Sequence, residues 1–344
     1  MKKCYGFFLL FILVALLLLI SGCQSTSNFP TDYEQLSEDE RLVIRFSHVV
    51  GEDTPKGKAA RKFAEIVKQK SNGYIEVQVF SNGTLYKDSE ELSALMRGDI
   101  QMIAPATAKL TNLVPELSVL DLPYAFHSLD EVHEYLQSDV GTELTDMLQE
   151  HNLLSLGIWD SGFKQLSNNI RPIVSLEDMR GLTMRIMPSE ILQKQFEATG
   201  ASSKIGDFNT VFNELQKGSF DGQENTLSNI SSKNLHSVQK YLTISNHGYL
   251  GYFIIFNKDF WNRLQPEVQN ILVNALAEVE QWEWNLVNQI DKEKLRDIEQ
   301  CECIEIYSLP HSEQKEWEKA FKPVYDYYIS RFQKKYIKAL PRFL

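Results

Sequence analysis

Cysteine is scarce in this chain, with four in 344 residues, and there is no basic surplus: 35 Lys and Arg stand against 46 Asp and Glu, a formal net charge of −11. A protein that grips nucleic acid needs a basic face, so the charge balance excludes that class of partner. Cys4 and Cys23 fall in the first two dozen residues, which leaves Cys301 and Cys303 for the folded body. Two cysteines spaced Cys-x-Cys are too few for a zinc site, and no metal is expected. The pair alternates onto one face of an expected strand from Glu302 to Ile306 and is read as free thiols. The sequence also lacks a nucleophile elbow, a paired metal motif and a Gly-rich phosphate loop. No glycine or proline interrupts residues 266–300, whose pattern is helical from Pro266 to about Gln300. Such a helix would run about 50 Å and act as a spine across the molecule.

At the amino terminus Lys2 and Lys3 precede an apolar run from Phe7 to Ile20 that stops at Ser21-Gly22-Cys23. A charged region, an apolar region and small residues at a cleavage point make residues 1–22 a signal peptide. The form resembles a bacterial lipobox, which implies cleavage before Cys23 and a lipid on its sulfur. Residues 23–40 are polar and aperiodic, a tether. The roughly 300 residues that remain suit two lobes, since domains cluster near ~100–150 residues.

The most informative stretch is Gly181-Leu-Thr-Met-Arg185-Ile-Met-Pro188. It reads as a short strand with Leu182, Met184 and Ile186 on one face and Thr183, Arg185 and Met187 on the other. Pro188 cannot donate to a ladder, so Arg185 stands near the strand's carboxyl end, where ligands sit in open α/β sheets. Its planar fork of donors matches a carboxylate; a structural ion pair or a solvated strand arginine is the other reading. Upstream, the strand Leu42 to Ser47 enters a loop containing His48, Thr54 and Lys56, with Thr54-Pro55 starting a helix whose amino end attracts anions. A helix from Glu90 to Arg97, closed by Gly98, leads to a strand and a Pro105-Ala-Thr107 loop. The order is echoed by Val211 to Lys217, Gly218, and the strand and polar loop that reach Asn225. Two similar α/β lobes facing each other would bring both loops to one cleft. A strand from Leu153 to Trp159 precedes the polar segment holding Lys164, and an aromatic wall with a lysine and an arginine suits a small organic dianion.

Phe46-Ser-His48, Thr54-Pro55-Lys56-Gly57, Trp159-Asp160-Ser-Gly-Phe-Lys164-Gln, Arg185-Ile-Met-Pro188, Gly218-Ser-Phe-Asp221-Gly222-Gln-Glu224-Asn225 and Asn246-His247-Gly-Tyr249-Leu-Gly-Tyr252 together resemble the solute-binding proteins of TRAP transporters, in the C4-dicarboxylate branch. The resemblance implies an α/β, periplasmic-binding-protein-like fold of two lobes, each a mixed sheet flanked by helices. Residues 41–160 with 251–290 would form one lobe, and 161–250 with 291–344 the other. It implies no cofactor, an extracytoplasmic protein on a lipid leash, and delivery of a small carboxylate to membrane permease subunits. Arg185 becomes the carboxylate clamp and Asn225 its polar partner; Lys164 is a second cation, and Trp159, Lys56, His48 and Thr54 belong to the cleft. Ser161 and Thr226 depart from the family pattern beside that site. Two other functions stand against transport: a co-sensor reporting the ligand to a membrane kinase, and a hydrolase in which His48 or His247 with Asp160 or Glu224 serve as base and orienter.

Overall fold

The computed structural model describes residues 40–341. The signal peptide, Cys23 and all of the tether but its last residue, Glu40, lie outside the described residues. Eleven strands are described, forming two sheets. In the first, β1 (Leu42–Ser47) pairs in parallel with β2 (Ile75–Phe80) and with β3 (Met102–Ile103), and the two long strands β4 (Leu153–Phe163) and β10 (Tyr249–Asn257) complete the order β2-β1-β3-β10-β4. The second contains β5 (Gln165–Asn168), β6 (Thr183–Ile186), β7 (Ser202–Ile205), β8 (Gly222–Asn225), β9 (Tyr241–Ile244) and β11 (Glu305–Ser308), in the order β11-β9-β5-β8-β6-β7. Both sheets mix parallel and antiparallel pairs. The chain passes between them at Lys164, the single residue separating β4 from β5, and again at residues 245–248 between β9 and β10. This is the two-lobed α/β architecture expected.

Local chemistry explains the elements that frame the seam. Thr54 caps the helix Pro55–Lys70, its hydroxyl accepting from Gly57 N at 3.1 Å. Ala59, Ala60, Phe63, Ile66 and Val67 recur at helical spacing and are buried against the first sheet and the long helix. That long helix spans Pro266–Gln300, as its unbroken pattern predicts. It packs on the helix Pro55–Lys70, on β4 and on the short helix Leu227–Ser232 that follows β8, so it touches both lobes. The carboxyl-terminal helices bury Trp317, Tyr325 and Tyr328, and the last two donate their hydroxyls to the carbonyls of Pro123 and Glu116.

Two expectations are corrected. β4 does not stop at Trp159 but runs to Phe163, because its polar residues are satisfied inside the protein. Asp160 receives the Tyr249 hydroxyl at 2.5 Å and lies 2.7 Å from His133 Nε2, while its amide donates to Glu283 of the long helix at 3.1 Å. Cys301 and Cys303 are not free thiols on a strand: they form a disulfide with Cα atoms 5.1 Å apart. The strand begins at Glu305, because Cys301 caps the long helix and Glu302, at φ 50°, takes a left-handed turn incompatible with extended backbone.

Candidate functional site

β6 ends where its sequence requires. Arg185 lies one residue from the end of the strand, 2 % exposed, and donates its Nε to the Gly206 carbonyl at 2.8 Å. That single bond fixes the plane of the guanidinium. Gly206 has to be glycine for the approach: a Cβ there would stand 2.9 Å from Arg185 Cγ and 3.0 Å from Phe220. Among the described residues no hydrogen bond engages the Arg185 Nη atoms, and the side chain lines a small cavity at the lobe seam. Burial lowers the Arg185 pKa, the negative charges of Asp88, Glu224 and Asp207 oppose that, and the guanidinium keeps its charge.

Four charged side chains line this cavity: Lys56, Asp88, Lys109 and Arg185. Lys56 projects from the first turn of its helix, donates to the Ala104 carbonyl at 2.8 Å and stands 3.5 Å from the centre of the Tyr252 ring. Burial pulls its pKa down to about 7, against the attraction of Glu91, whose own carboxyl is pushed up to about 7 by burial. Lys109 pairs with Asp88 at 2.5 Å; against burial, which would raise it, this cation holds Asp88 below the usual carboxylate range. Lys109 and Arg185 against Asp88 leave one positive charge facing the cavity, and Lys56, poised near neutrality, adds a second when it holds its proton.

Asn225 ends β8 and also lines the cavity. Its Oδ1 accepts from the Thr226 amide at 3.0 Å and from Asn229 Nδ2 at 2.9 Å, so the amide nitrogen is the group it presents to a guest. Asn229 also donates to the Tyr252 hydroxyl at 2.9 Å, which locks the polar wall. Pro105 and Ala106, from the loop after β3, line the same cavity as Asn225, the meeting of two loops that the repeated order of helix, glycine, strand and loop predicts. Gly98 and Gly218 close the two corresponding helices at φ 80° and 72°.

Of seven residues singled out in the sequence, the structure brings Arg185, Asn225 and Lys56 together at the cavity. Lys164 goes elsewhere. Its Nζ is 2.6 Å from Glu224 Oε1, both side chains are buried, and His247 Nε2 holds the other carboxylate oxygen at 2.8 Å. Trp159 is packed in β4 against Phe46 with ring centres 5.9 Å apart, and Thr54 is consumed as a helix cap. His48 lies behind the wall against Phe46, its pKa held well below 6.5 by burial, so the ring is neutral. Sequence reasoning missed Lys109, Asp88 and Asn229. Tyr252 stood in a recognised motif without a role, whereas Lys109 lies in the short 3-10 turn Thr107–Leu110 and Asp88 in a loop, neither long enough to carry a periodic signal.

A pair of loops clasps the lobes beside the cavity. Asp88 N donates to Asn209 Oδ1 at 2.8 Å, Phe208 N to Asp88 Oδ2 at 3.1 Å, Ser89 N to Asp207 Oδ2 at 3.1 Å, and Asn209 Nδ2 to the Asn82 carbonyl at 3.2 Å. The clasp begins one residue after Gly206, the carbonyl that orients Arg185.

A cationic cavity roofed by one lobe and floored by the other is the build of a solute-binding protein that encloses its ligand. The description "Bacterial extracellular solute-binding protein, family 7" matches residues 46–331. The chain is 44% identical over 309 residues to a C4-dicarboxylate-binding protein, DctB, of Bacillus subtilis, covering 90% of this chain and 88% of that one. A TRAP periplasmic solute-binding protein of Shewanella oneidensis, solved with bound succinate, superposes with a TM-score of 0.84 at 35% identity, covering 87% of this chain and 98% of the other. One from Pseudomonas aeruginosa with bound L-malate gives 0.81 at 32%, covering 83% and 99%. The chain therefore belongs to the family 7 extracellular solute-binding proteins, the TRAP solute-binding family. It is a binding protein of an extracytoplasmic family and not an enzyme. The buried His247–Glu224 pair accordingly serves architecture.

Proposed function

We propose that this protein captures a C4-dicarboxylate such as succinate, malate or fumarate in the seam cavity and delivers it to TRAP permease subunits, held at the membrane by a lipid on Cys23. The observation that carries the ligand class is the charge of the lining: Lys109 and Arg185 against Asp88 leave one positive charge and a protonated Lys56 adds a second, the complement of a dianion. The relatives and neighbours named for C4-dicarboxylates, or solved with succinate and malate, support the same reading. One carboxylate takes the Nη fork of Arg185 and the amide nitrogen of Asn225. The other meets Lys56, whose ammonium spends one donor on Ala104 and has two left. The apolar neighbours Val49, Phe208 and Leu250 flank the carbon chain and keep the local dielectric low, which strengthens the charged contacts.

A thermal-shift panel on the soluble body tests the class. C4-dicarboxylates raise the melting temperature, because a ligand that binds only the folded form stabilises it. Sugar acids, aromatic acids and monocarboxylates raise it far less. A larger shift with a sugar acid than with any C4-dicarboxylate removes the proposed ligand class.

Lys56→Met keeps length and loses charge, and the buried Glu91 can respond by taking a proton. We expect succinate affinity to fall by about 10–100-fold, the effect of roughly 1.4–3 kcal/mol from a lost charged hydrogen bond. A four-carbon monocarboxylate should lose under about threefold. Equal losses for both ligands, read by calorimetric titration, would place the second carboxylate elsewhere.

The clasp makes a separate prediction. Asn209→Ala removes two bonds between the lobes without touching the ligand. Each is worth about 0.5–1.5 kcal/mol, so affinity should fall ~5–150-fold. Stopped-flow measurement should find most of that loss in a faster off-rate. An unchanged off-rate would show that these bonds do not hold the closed form.

A further inference from the structure

On the second sheet's outer edge, away from β6, three donors of metal-binding type meet. The Cys301 and Cys303 sulfurs and a ring nitrogen of His236 all lie within 4.8 Å of one another. Both cysteines are exposed and His236 is half-buried. His236 stands on the short helical turn Leu235–Val238 just before β9, and Cys303 stands two residues before β11. These strands pair in parallel from Glu305↔Tyr241 to Ser308↔Ile244, and Glu305 N donates to the Lys240 carbonyl at 2.9 Å. The ladder therefore fixes both chain segments beside the cluster. Cys303 Sγ lies 3.8 Å from the His236 carbonyl oxygen, so the turn and the cysteine loop touch directly.

The disulfide does little for the fold. It closes a ring with one intervening residue, and the unfolded entropy a cross-link removes is smallest for the shortest loops. β11 is held by its own ladder on β9. An exposed bond with a small structural share is the type that exchanges readily with external thiols.

We propose that Cys301, Cys303 and His236 form a redox-gated site for a soft or borderline d10 cation, Zn²⁺ or Cu⁺. The disulfide is the closed state. A dithiol reductant opens it: two electrons and two protons pass to the protein sulfurs, giving two thiols, while the dithiol becomes a cyclic disulfide. A cation then displaces the thiol protons and binds two thiolates and the neutral imidazole, with water completing the shell. Two sulfurs and one nitrogen select such cations over Mg²⁺ or Ca²⁺, which take oxygen ligands. The site lies outside the cavity lining, so it stands or falls independently of the dicarboxylate reading.

The test uses the soluble body reduced with a dithiol, freed of reductant without air and titrated with Zn²⁺ against a chromophoric chelator. The expected result is one Zn²⁺ per chain at submicromolar affinity in the reduced protein, and at least ~100-fold weaker binding after reoxidation. His236→Gln should weaken zinc at least ~10-fold, and Cys303→Ser should abolish tight binding. Co²⁺ as a second probe should give thiolate charge-transfer absorption that disappears in Cys303→Ser. The proposal is overturned if the reduced protein binds no more zinc than Cys303→Ser does, or if His236→Gln leaves the affinity unchanged. It is also overturned if thiol titration finds both cysteines free in the air-oxidised protein. Succinate binding unaltered by Cys303→Ser separates this outcome from any failure at the seam.

Discussion

Arg185→Ala should weaken dicarboxylate binding by about 2–5 kcal/mol, the range for truncating one partner of a buried charge pair. At ~1.4 kcal/mol per decade this is ~30- to several-thousand-fold. The size follows from placement. The guanidinium is 2 % exposed, has one bond to backbone through Nε, and keeps its Nη atoms for the cavity. Lysine cannot substitute, because its compact ammonium neither reaches both carboxylate oxygens in a plane nor holds the Gly206 carbonyl at the same time. Arg185→Lys should therefore recover less than a tenth of the lost affinity, a factor of ~10 being about 1.4 kcal/mol. The same bond to Gly206 links the clamp to the clasp at Asp207 to Asn209, so a carboxylate that tightens the guanidinium also steadies the loop that closes the lobes. Melting temperature without ligand serves as the control. An affinity loss below about threefold in a well-folded variant would take Arg185 out of the site.

The second large effect is on stability. Glu224→Ala leaves the Lys164 ammonium buried and unpaired, and breaking a buried pair in that way costs about 3–5 kcal/mol. Lys164 and Glu224 are 2.6 Å apart, and Glu224 also binds His247 Nε2 at 2.8 Å and accepts from Gln195 Nε2 at 3.1 Å. A melting-temperature drop on the order of 10 °C is expected. Burial would raise the Glu224 pKa, but Lys164 and His247 outweigh it and hold the carboxyl at about 2. The sign of the pH dependence follows. A depressed carboxyl contributes stability that is complete above its unfolded pKa of ~4.3 and is lost as pH falls toward 2. Wild-type melting temperature should decline through that window, and Glu224→Gln should flatten the decline. A Glu224→Ala protein melting within about 2 °C of wild type would show that the triad is not a structural anchor.

The contrast between these residues shows what was legible in the sequence. Alternation and Pro188 placed Arg185 at a strand end, and Thr54-Pro55 placed Lys56 in a first helical turn. Both rules are local, and both held. The unbroken pattern of residues 266–300 likewise yielded the spine. Lys164 looked equivalent to Arg185 because polarity of sequence does not reveal which carboxylate a cation will meet. Its partner Glu224 arrives from β8, sixty residues on, through antiparallel pairing of β5 with β8. Lys109 and Asp88 were invisible for the converse reason: one sits in a single 3-10 turn, Thr107–Leu110, and the other in a loop, and only the meeting of the lobes gives them a role. The length of β4 was underestimated because Asp160 and Ser161 read as a polar loop, whereas His133, Tyr249 and Thr226 satisfy them in the interior. The cysteine pair was misjudged because strand alternation was extended through Glu302, which the left-handed turn forbids.

The most direct measurement is a crystal structure of the soluble body grown with succinate. The account predicts one carboxylate paired with both Nη atoms of Arg185 at about 2.7–2.9 Å, with the other carboxylate at Lys56 and the carbon chain lying between Phe208 and Leu250. Succinate found outside the seam, or in the seam with its carboxylates turned away from the guanidinium, would contradict it.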